Sequence, residues 1–95
     1  MQVSVRFFTV LREITGKKEQ TLTFRKTATI DAVLRQLARQ YGKGLKEYVY
    51  DTKTGEPKGF LQFLVNGKSI ITPNLLETRL SDGDVLAIVP PVGGG

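Results

Sequence analysis

Cysteine and histidine are both absent from the 95 residues. With them go disulfides, thiolate nucleophiles, thiolate or imidazole metal sites, iron–sulfur ligation and the commonest general base. Unaided side-chain catalysis is not expected, nor is a metal site. Any sulfur this chain handles has no side-chain thiol to sit on and would have to ride on a carboxyl group. Long apolar runs are missing too, since none approaches the roughly 20 residues that span a bilayer. The opening MQVSVRFF alternates, with no basic stretch ahead of an apolar block, so it reads as a strand and not as a secretion signal. A cytoplasmic protein with no membrane partner is expected.

Lys and Arg number 14 against 9 Asp and Glu, a net charge of +5, but the basic residues are scattered from Arg6 to Arg79 and pair at most as Lys17-Lys18 or Arg25-Lys26. Nucleic-acid binding wants a concentrated stripe interleaved with aromatics and is not expected. An acidic protein partner suits the excess, because opposite charge steers encounter without a continuous track.

A chain of this length forms one domain that buries about 60 to 65% of its unfolded surface. Residues 2 to 8 alternate, with Val3, Val5 and Phe7 on one face, and predict a half-buried strand. A turn around Gly16, Lys17 and Lys18 leads to a second alternating run, Glu19 to Phe24, which completes a hairpin. From Ile30 to Tyr41, Ile30, Val33, Leu34, Leu37, Ala38 and Tyr41 draw one stripe along a helix, with Thr29 as N-cap, Asp31 and Arg39 suited to the dipole ends, and Gly42 as stop.

Residues 43 to 59 read as an irregular connection with a short helical turn near Tyr48. Phe60 to Val65 is strand-like, Asn66-Gly67 is a hairpin signal, Lys68 to Ile71 returns and Pro73 stops it. Ser81-Asp82-Gly83-Asp84 is a polar turn ahead of Val85 to Val89, an apolar strand suited to a sheet centre. Asp82 and Asp84 are assigned to that turn and not to an acid–base or metal pair. Arg12 and Glu13 read as a local ion pair or loop anchor. The element order predicts an α+β β-grasp, a mixed sheet with one main helix on one face and the last strand parallel to the first at its centre.

After Val89 the sequence reads Pro90-Pro91-Val92-Gly93-Gly94-Gly95. The paired prolines lack amide donors and end strand pairing, which divides the chain into a domain at 1–89 and a tail at 90–95. Glycines without side chains thread a narrow channel and bring bare backbone to a bound nucleotide, although ordering each costs about 0.5 to 1 kcal/mol more than ordering alanine. With Val3, Val5 and Phe7 inside, Phe8 emerges on the opposite sheet face, and Phe60 and Leu64 are large apolar groups expected outside. That face is the candidate docking surface. The competing reading is that local twist or the 43–59 connection covers it.

Phe7-Phe8 followed by Leu11-Arg12-Glu13 and Gly16, the helix opening Thr29-Ile30-Asp31, the hairpin Val65-Asn66-Gly67, and Leu80-Ser81-Asp82-Gly83-Asp84 running through to Pro90-Pro91-Val92-Gly93-Gly94-Gly95 together resemble the MoaD/ThiS-type ubiquitin-like sulfur carriers. That family includes the small subunit of molybdopterin synthase and the thiamine-pathway carrier. Its members typically end in two prolines, an apolar residue, one small residue and two glycines, so Gly93 takes the small-residue place.

The resemblance implies a ubiquitin-activating-like adenylyltransferase that uses ATP to convert the Gly95 carboxylate to an acyl-adenylate, and a persulfide sulfur donor that replaces AMP to leave a thiocarboxylate. No cofactor is held permanently. The expected acceptor is the large subunit of molybdopterin synthase, in molybdenum cofactor biosynthesis. Pro90, Pro91, Val92, Gly93 and Gly94, with Phe8, Phe60 and Leu64, are the expected partner contacts. Carriers for cysteine, thiamine or tRNA thiolation share the ending, as do protein modifiers joined through Gly95 to lysines, and an inert interaction module is the remaining alternative.

Overall fold

In the computed structural model, which describes residues 1–91, the opening alternation forms strand β1 (Gln2–Phe7), with Val3, Val5 and Phe7 fully buried. Strand β2 (Glu19–Thr23) pairs antiparallel with it, Arg6 opposite Glu19 and Gln2 opposite Thr23. The simple turn expected between them is instead built around a six-residue helix, α1 (Val10–Thr15). Leu11 and Thr15, one helical turn apart, are its buried residues, and the Thr15 hydroxyl donates to the Leu11 carbonyl at 2.8 Å. Gly16 closes the helix at φ 73°. Two buried positions are too few for a helical period to stand out in sequence.

Strand β3 (Ala28–Thr29) leads into α2 (Ile30–Tyr41), whose bounds match the expected helix. The Thr29 hydroxyl accepts from the Ala32 N–H at 3.2 Å, and Gly42 ends the helix at φ 75°. Ile30, Val33, Leu34, Leu37 and Ala38 are buried, while the Tyr41 ring meets Phe7 edge-on at 6.3 Å. Full burial of an aliphatic side chain contributes about 1.5 to 3 kcal/mol. The surface pair Asp31–Arg35, at 2.9 Å one turn apart, contributes about 0.3 to 0.5 kcal/mol, so the apolar stripe holds the helix in place.

The connection after α2 is more ordered than expected. Helix α3 (Lys43–Val49) buries Leu45 and Val49, again one turn apart. A tight reversal follows in which the Asp51 N–H donates to the Glu56 carbonyl at 2.8 Å, the Asp51 carboxylate accepts from the Lys53 N–H at 2.8 Å, and Tyr50 bridges to Pro57.

Strand β4 (Gln62–Val65) begins two residues later than the alternation proposed, because a turn closed by the Leu61 N–H on the Lys58 carbonyl (3.1 Å) keeps Phe60 outside the ladder. Asn66 and Gly67 sit at φ 53° and 84°, the double positive φ of a two-residue hairpin, and β5 (Lys68–Ser69) is shorter than the expected return. A 3-10 turn (Leu75–Glu77) and β6 (Arg79–Leu80), which pairs with β3, complete the descent to β7 (Val85–Val89).

The main sheet runs β2-β1-β7-β4-β5, with β7 parallel to β1 and antiparallel to β4. Buried residues of all three helices join Leu86, Ile88 and Phe63 in one core against a single sheet face. This is the expected β-grasp, with the apolar last strand at the centre.

Candidate functional site

The expected reactive end is tied to the most enclosed strand of the sheet. β7 has a neighbour on each side up to Ile88, Val89 is paired with Gln62 of β4 alone, Pro90 is buried and Pro91 is exposed. Val92, Gly93, Gly94 and Gly95 lie outside the described residues. The root of the tail at Val89–Pro90 is thus the fixed point from which the site is built.

Register defines the face that surrounds this root. Leu86 and Ile88 point into the core, so Val85, Ala87 and Val89 alternate to the opposite face, where they are half-buried. Ala87 is the partner of Arg6 on one side and Leu64 on the other, and Val89 is the partner of Gln62. The face away from the helices therefore carries an apolar strip along β7, widened by Leu64. Its β7 contribution follows from a run of five apolar residues in which only alternate ones reach the core.

Phe8 and Leu64 belong to this face and Phe60 does not belong to its ladder. Phe8 follows directly on Phe7, whose partner is Ile88, and is half-buried beneath the Arg12 guanidinium, 5.5 Å from the ring centroid. The Arg12 Nε donates to the Phe7 carbonyl at 2.9 Å, which makes Arg12 the loop anchor, and no Arg12–Glu13 ion pair occurs among the described residues.

Between Phe8 and Arg12 the chain turns through Thr9 at φ 46°, ψ −115°, a conformation that glycine adopts readily and a β-branched residue does not. The Thr9 carbonyl accepts from the Arg12 N–H at 2.9 Å, so the strained residue sets the start of α1 and the place of the arginine.

Phe60 lies on the other side of the root, two residues before Gln62, and is 48% exposed. Its ring meets Tyr48 at 6.3 Å, and the Lys58 ammonium lies 5.7 Å from the Phe60 centroid and 5.9 Å from that of Tyr48. Each such cation–aromatic contact contributes about 0.5 to 1 kcal/mol at an exposed position. Tyr48 and Lys58 both come from the connection that sequence alone left irregular, and nothing in their spacing announced the cluster.

The Ser81–Asp84 segment performs the turn chemistry expected of it. Asp84 Oδ2 accepts from the Ser81 N–H at 2.7 Å and Oδ1 from the Asn66 side-chain amide at 2.9 Å. Asn66 Oδ1 in turn accepts from the Val85 N–H at 2.9 Å, and Asp82 accepts from the Gln2 N–H at 2.7 Å. These carboxylates thus lock the start of β7, at the end of the strand opposite the tail root.

On the helical side, a shallow hollow of about 560 Å³ is lined by residues of both signs, including Asp31, Arg35, Lys46 and Asp51. Burial of the Tyr50 hydroxyl in its wall, together with the Asp31 charge, raises the Tyr50 pKa above the ordinary 10.0, with Arg35 opposing. No helix of the described residues is long and apolar enough to cross a membrane.

A sequence model of the ThiS family matches residues 5–95. Small archaeal modifier protein 3 of Haloferax volcanii is 34% identical over 95 residues, covering all of both chains. Sulfur carrier protein CysO of Mycobacterium bovis is 31% identical over 96 residues, again covering all of both. Among solved structures, SAMP1 from Haloferax volcanii superposes with a TM-score of 0.84 at 26% identity and full coverage of both chains. A chain from the complex of subunits 1 and 2 of the molybdopterin-converting factor of Helicobacter pylori does so at 0.62 and 27% identity, also with full coverage of both.

Proposed function

This chain belongs to the ThiS family, among the ubiquitin-like sulfur carriers and small archaeal modifiers, and from that premise we propose that it carries sulfur as a thiocarboxylate on Gly95. The observation that carries the reading is the continuity of β7 with the tail: the central strand runs straight into Pro90-Pro91, so the segment ending in Gly94-Gly95 is tethered to the most enclosed part of the fold. The six residues from Pro90 span about 20 Å when extended, at roughly 3.3 to 3.6 Å each. That reach takes the terminal carboxylate into a partner's active site while the apolar strip along β7 and Phe8 dock outside.

The chemistry follows from a carboxylate that is unreactive until it has a leaving group. A partner adenylyltransferase joins the Gly95 carboxylate to AMP from ATP and releases pyrophosphate. The terminal sulfur of a persulfide donor displaces AMP, and a thiol then cleaves the resulting S–S bond, leaving the thiocarboxylate on Gly95 and a disulfide on the donor side. The thiocarboxylate is an anionic nucleophile at neutral pH, so no base on the carrier is required and the missing histidine and cysteine cost nothing.

The molybdopterin synthase acceptor draws support from the likeness to the Helicobacter pylori converting-factor chain, whose structure is a complex with a second subunit. A second reading, conjugation of the activated Gly95 to lysines of other proteins, is favoured by the end-to-end match to an archaeal modifier.

Intact mass of the protein purified from its own cell tests the scheme. Exchange of one terminal oxygen for sulfur is expected for the carrier, ladders of linked proteins for the modifier, and an unmodified terminus would refute both. Deleting Gly94 and Gly95 should abolish ATP-dependent activation with the melting temperature unchanged, and co-purification of a synthase subunit identifies the acceptor.

A further inference from the structure

The tail root is flanked on both sides by a cation resting on an aromatic ring. Beside β1, Arg12 covers Phe8, one residue beyond the partner of Ile88. Beside β4, Lys58 covers Phe60, two residues before the partner of Val89. β1 and β4 are the two neighbours of β7 and lie two strand spacings apart, about 10 Å, so the pairs follow from the strands on either side of the departing chain.

Both cations are free of carboxylate partners among the described residues, where the ion pairs involve Arg6, Arg35 and Lys43 instead. Both are also held in place. Arg12 spends only its Nε on the Phe7 carbonyl, while the Lys58 backbone is fixed by its N–H on the Val49 carbonyl at 2.8 Å and by the turn to Leu61. A cation already ordered by a ring and a backbone anchor loses less freedom when it meets an anion.

We propose that Arg12 and Lys58 form a charge bracket that engages carboxylates on the rim of the adenylating partner's channel, and so aligns the tail with its entrance. The proposal rests on the carrier reading above and adds to it a specificity device at the root of the tail. The occupant is an acidic protein rim and not the nucleotide itself. Four residues follow Pro91, and extended they place the Gly95 carboxylate about 13 Å further on, beyond reach of groups at the root. The chain's net charge of +5 matches such a partner, and rim charges of this kind act mainly on association and its salt dependence.

ATP–pyrophosphate exchange by the adenylating enzyme of the same cell reads the effect. Arg12→Glu/Lys58→Glu is compared with Arg25→Glu/Lys26→Glu, which changes net charge equally in the segment after Thr23, the partner of Gln2 at the far end of β1. The bracket variant is expected to raise KM for the carrier at least tenfold, with kcat within twofold, and to flatten the rise of KM with salt. The control should shift KM less than threefold. Arg12→Gln/Lys58→Gln, which keeps side-chain length without charge, should give an intermediate KM, and circular dichroism checks that each variant is folded.

Equal losses in bracket and control variants would show that overall charge does the steering and would overturn the bracket. So would an unchanged KM in the neutral variant, or a fall in kcat accompanied by a lower melting temperature. Absence of exchange with the unaltered chain overturns the carrier reading itself, and the bracket with it.

Discussion

Replacing Asp84 by Asn tests whether the acidic turn before β7 is structural or chemical. The aspartate accepts one hydrogen bond on each carboxylate oxygen, from the Ser81 N–H and the Asn66 side-chain amide. An amide in its place offers one acceptor and one NH2. Asn66 cannot flip to compensate, because its own oxygen is taken by the Val85 N–H. One bond must therefore be lost, and the survivor loses its charge.

A hydrogen bond to a charged group contributes about 1.5 to 3 kcal/mol, and solvent at this half-buried site recovers part of that, so a loss of about 1 to 2 kcal/mol is expected. At roughly 4 to 8 °C per kcal/mol for a domain of this size, the midpoint should fall by about 5 to 15 °C. Urea denaturation of Asp84→Asn, Asn66→Ala and the double variant measures the coupling, expected to be at least about 0.5 kcal/mol. A loss below about 0.3 kcal/mol with no coupling would refute the structural account. So would loss of ATP-dependent activation well below the transition, which would give Asp84 a chemical role instead.

Phe8→Asp should leave the domain folded, losing about 1 to 2 kcal/mol of packing and ring–cation contact, while weakening partner binding about 30-fold or more, as measured by calorimetry; an unfolded variant would refute its assignment to the outer face. Tyr50 has a raised folded pKa, so the folded state holds its proton longer than the unfolded chain does. Its contribution is complete below pH 10.0 and is lost as pH rises through the higher folded value. Tyr50→Phe should remove this alkaline decline in a denaturation series, and an identical decline in both proteins would refute the attribution. Thr9→Gly relieves about 1 to 3 kcal/mol of backbone strain against an entropic cost of about 0.5 to 1 kcal/mol, so thermal unfolding should show a net gain near 1 kcal/mol, and a measured loss would count against the strain.

What could be read from the sequence followed from how long each signal was sustained. α2 repeats its apolar stripe over 12 residues and carries its own cap and stop, so its ends were legible to the residue. The central place of β7 was legible because Val85 to Val89 is apolar on both faces, which suits a strand with neighbours on both sides. α1, α3 and the β3–β6 pair were harder, since each displays at most two buried positions before the chain turns. Phe60 was misplaced for a related reason: an alternating count carried back from Val65 cannot detect the Lys58–Leu61 turn, which is closed by backbone alone. The apolar half of the candidate site was therefore readable as pattern. Its charged half was not, because Arg12 on Phe8 and Lys58 on Phe60 depend on side chains meeting across turns.

The two ends of β7 now carry different burdens, and the separation has consequences for how variants interact. At the entry end, Asp84 and Asn66 bind the strand to two turns through short hydrogen bonds. At the exit end, the strand releases the tail between Phe8 and Phe60. Five residues at about 3.3 Å each put about 16 Å between them, beyond the roughly 7 to 10 Å within which substitutions couple. Changes at the entry end should thus act on stability and changes at the exit end on partner engagement, and their effects should add. Because Asp84 and Asn66 bind the central strand at its entry end, substitutions of Phe8 or Phe60 at the exit end should leave that network, and the sheet it holds together, undisturbed.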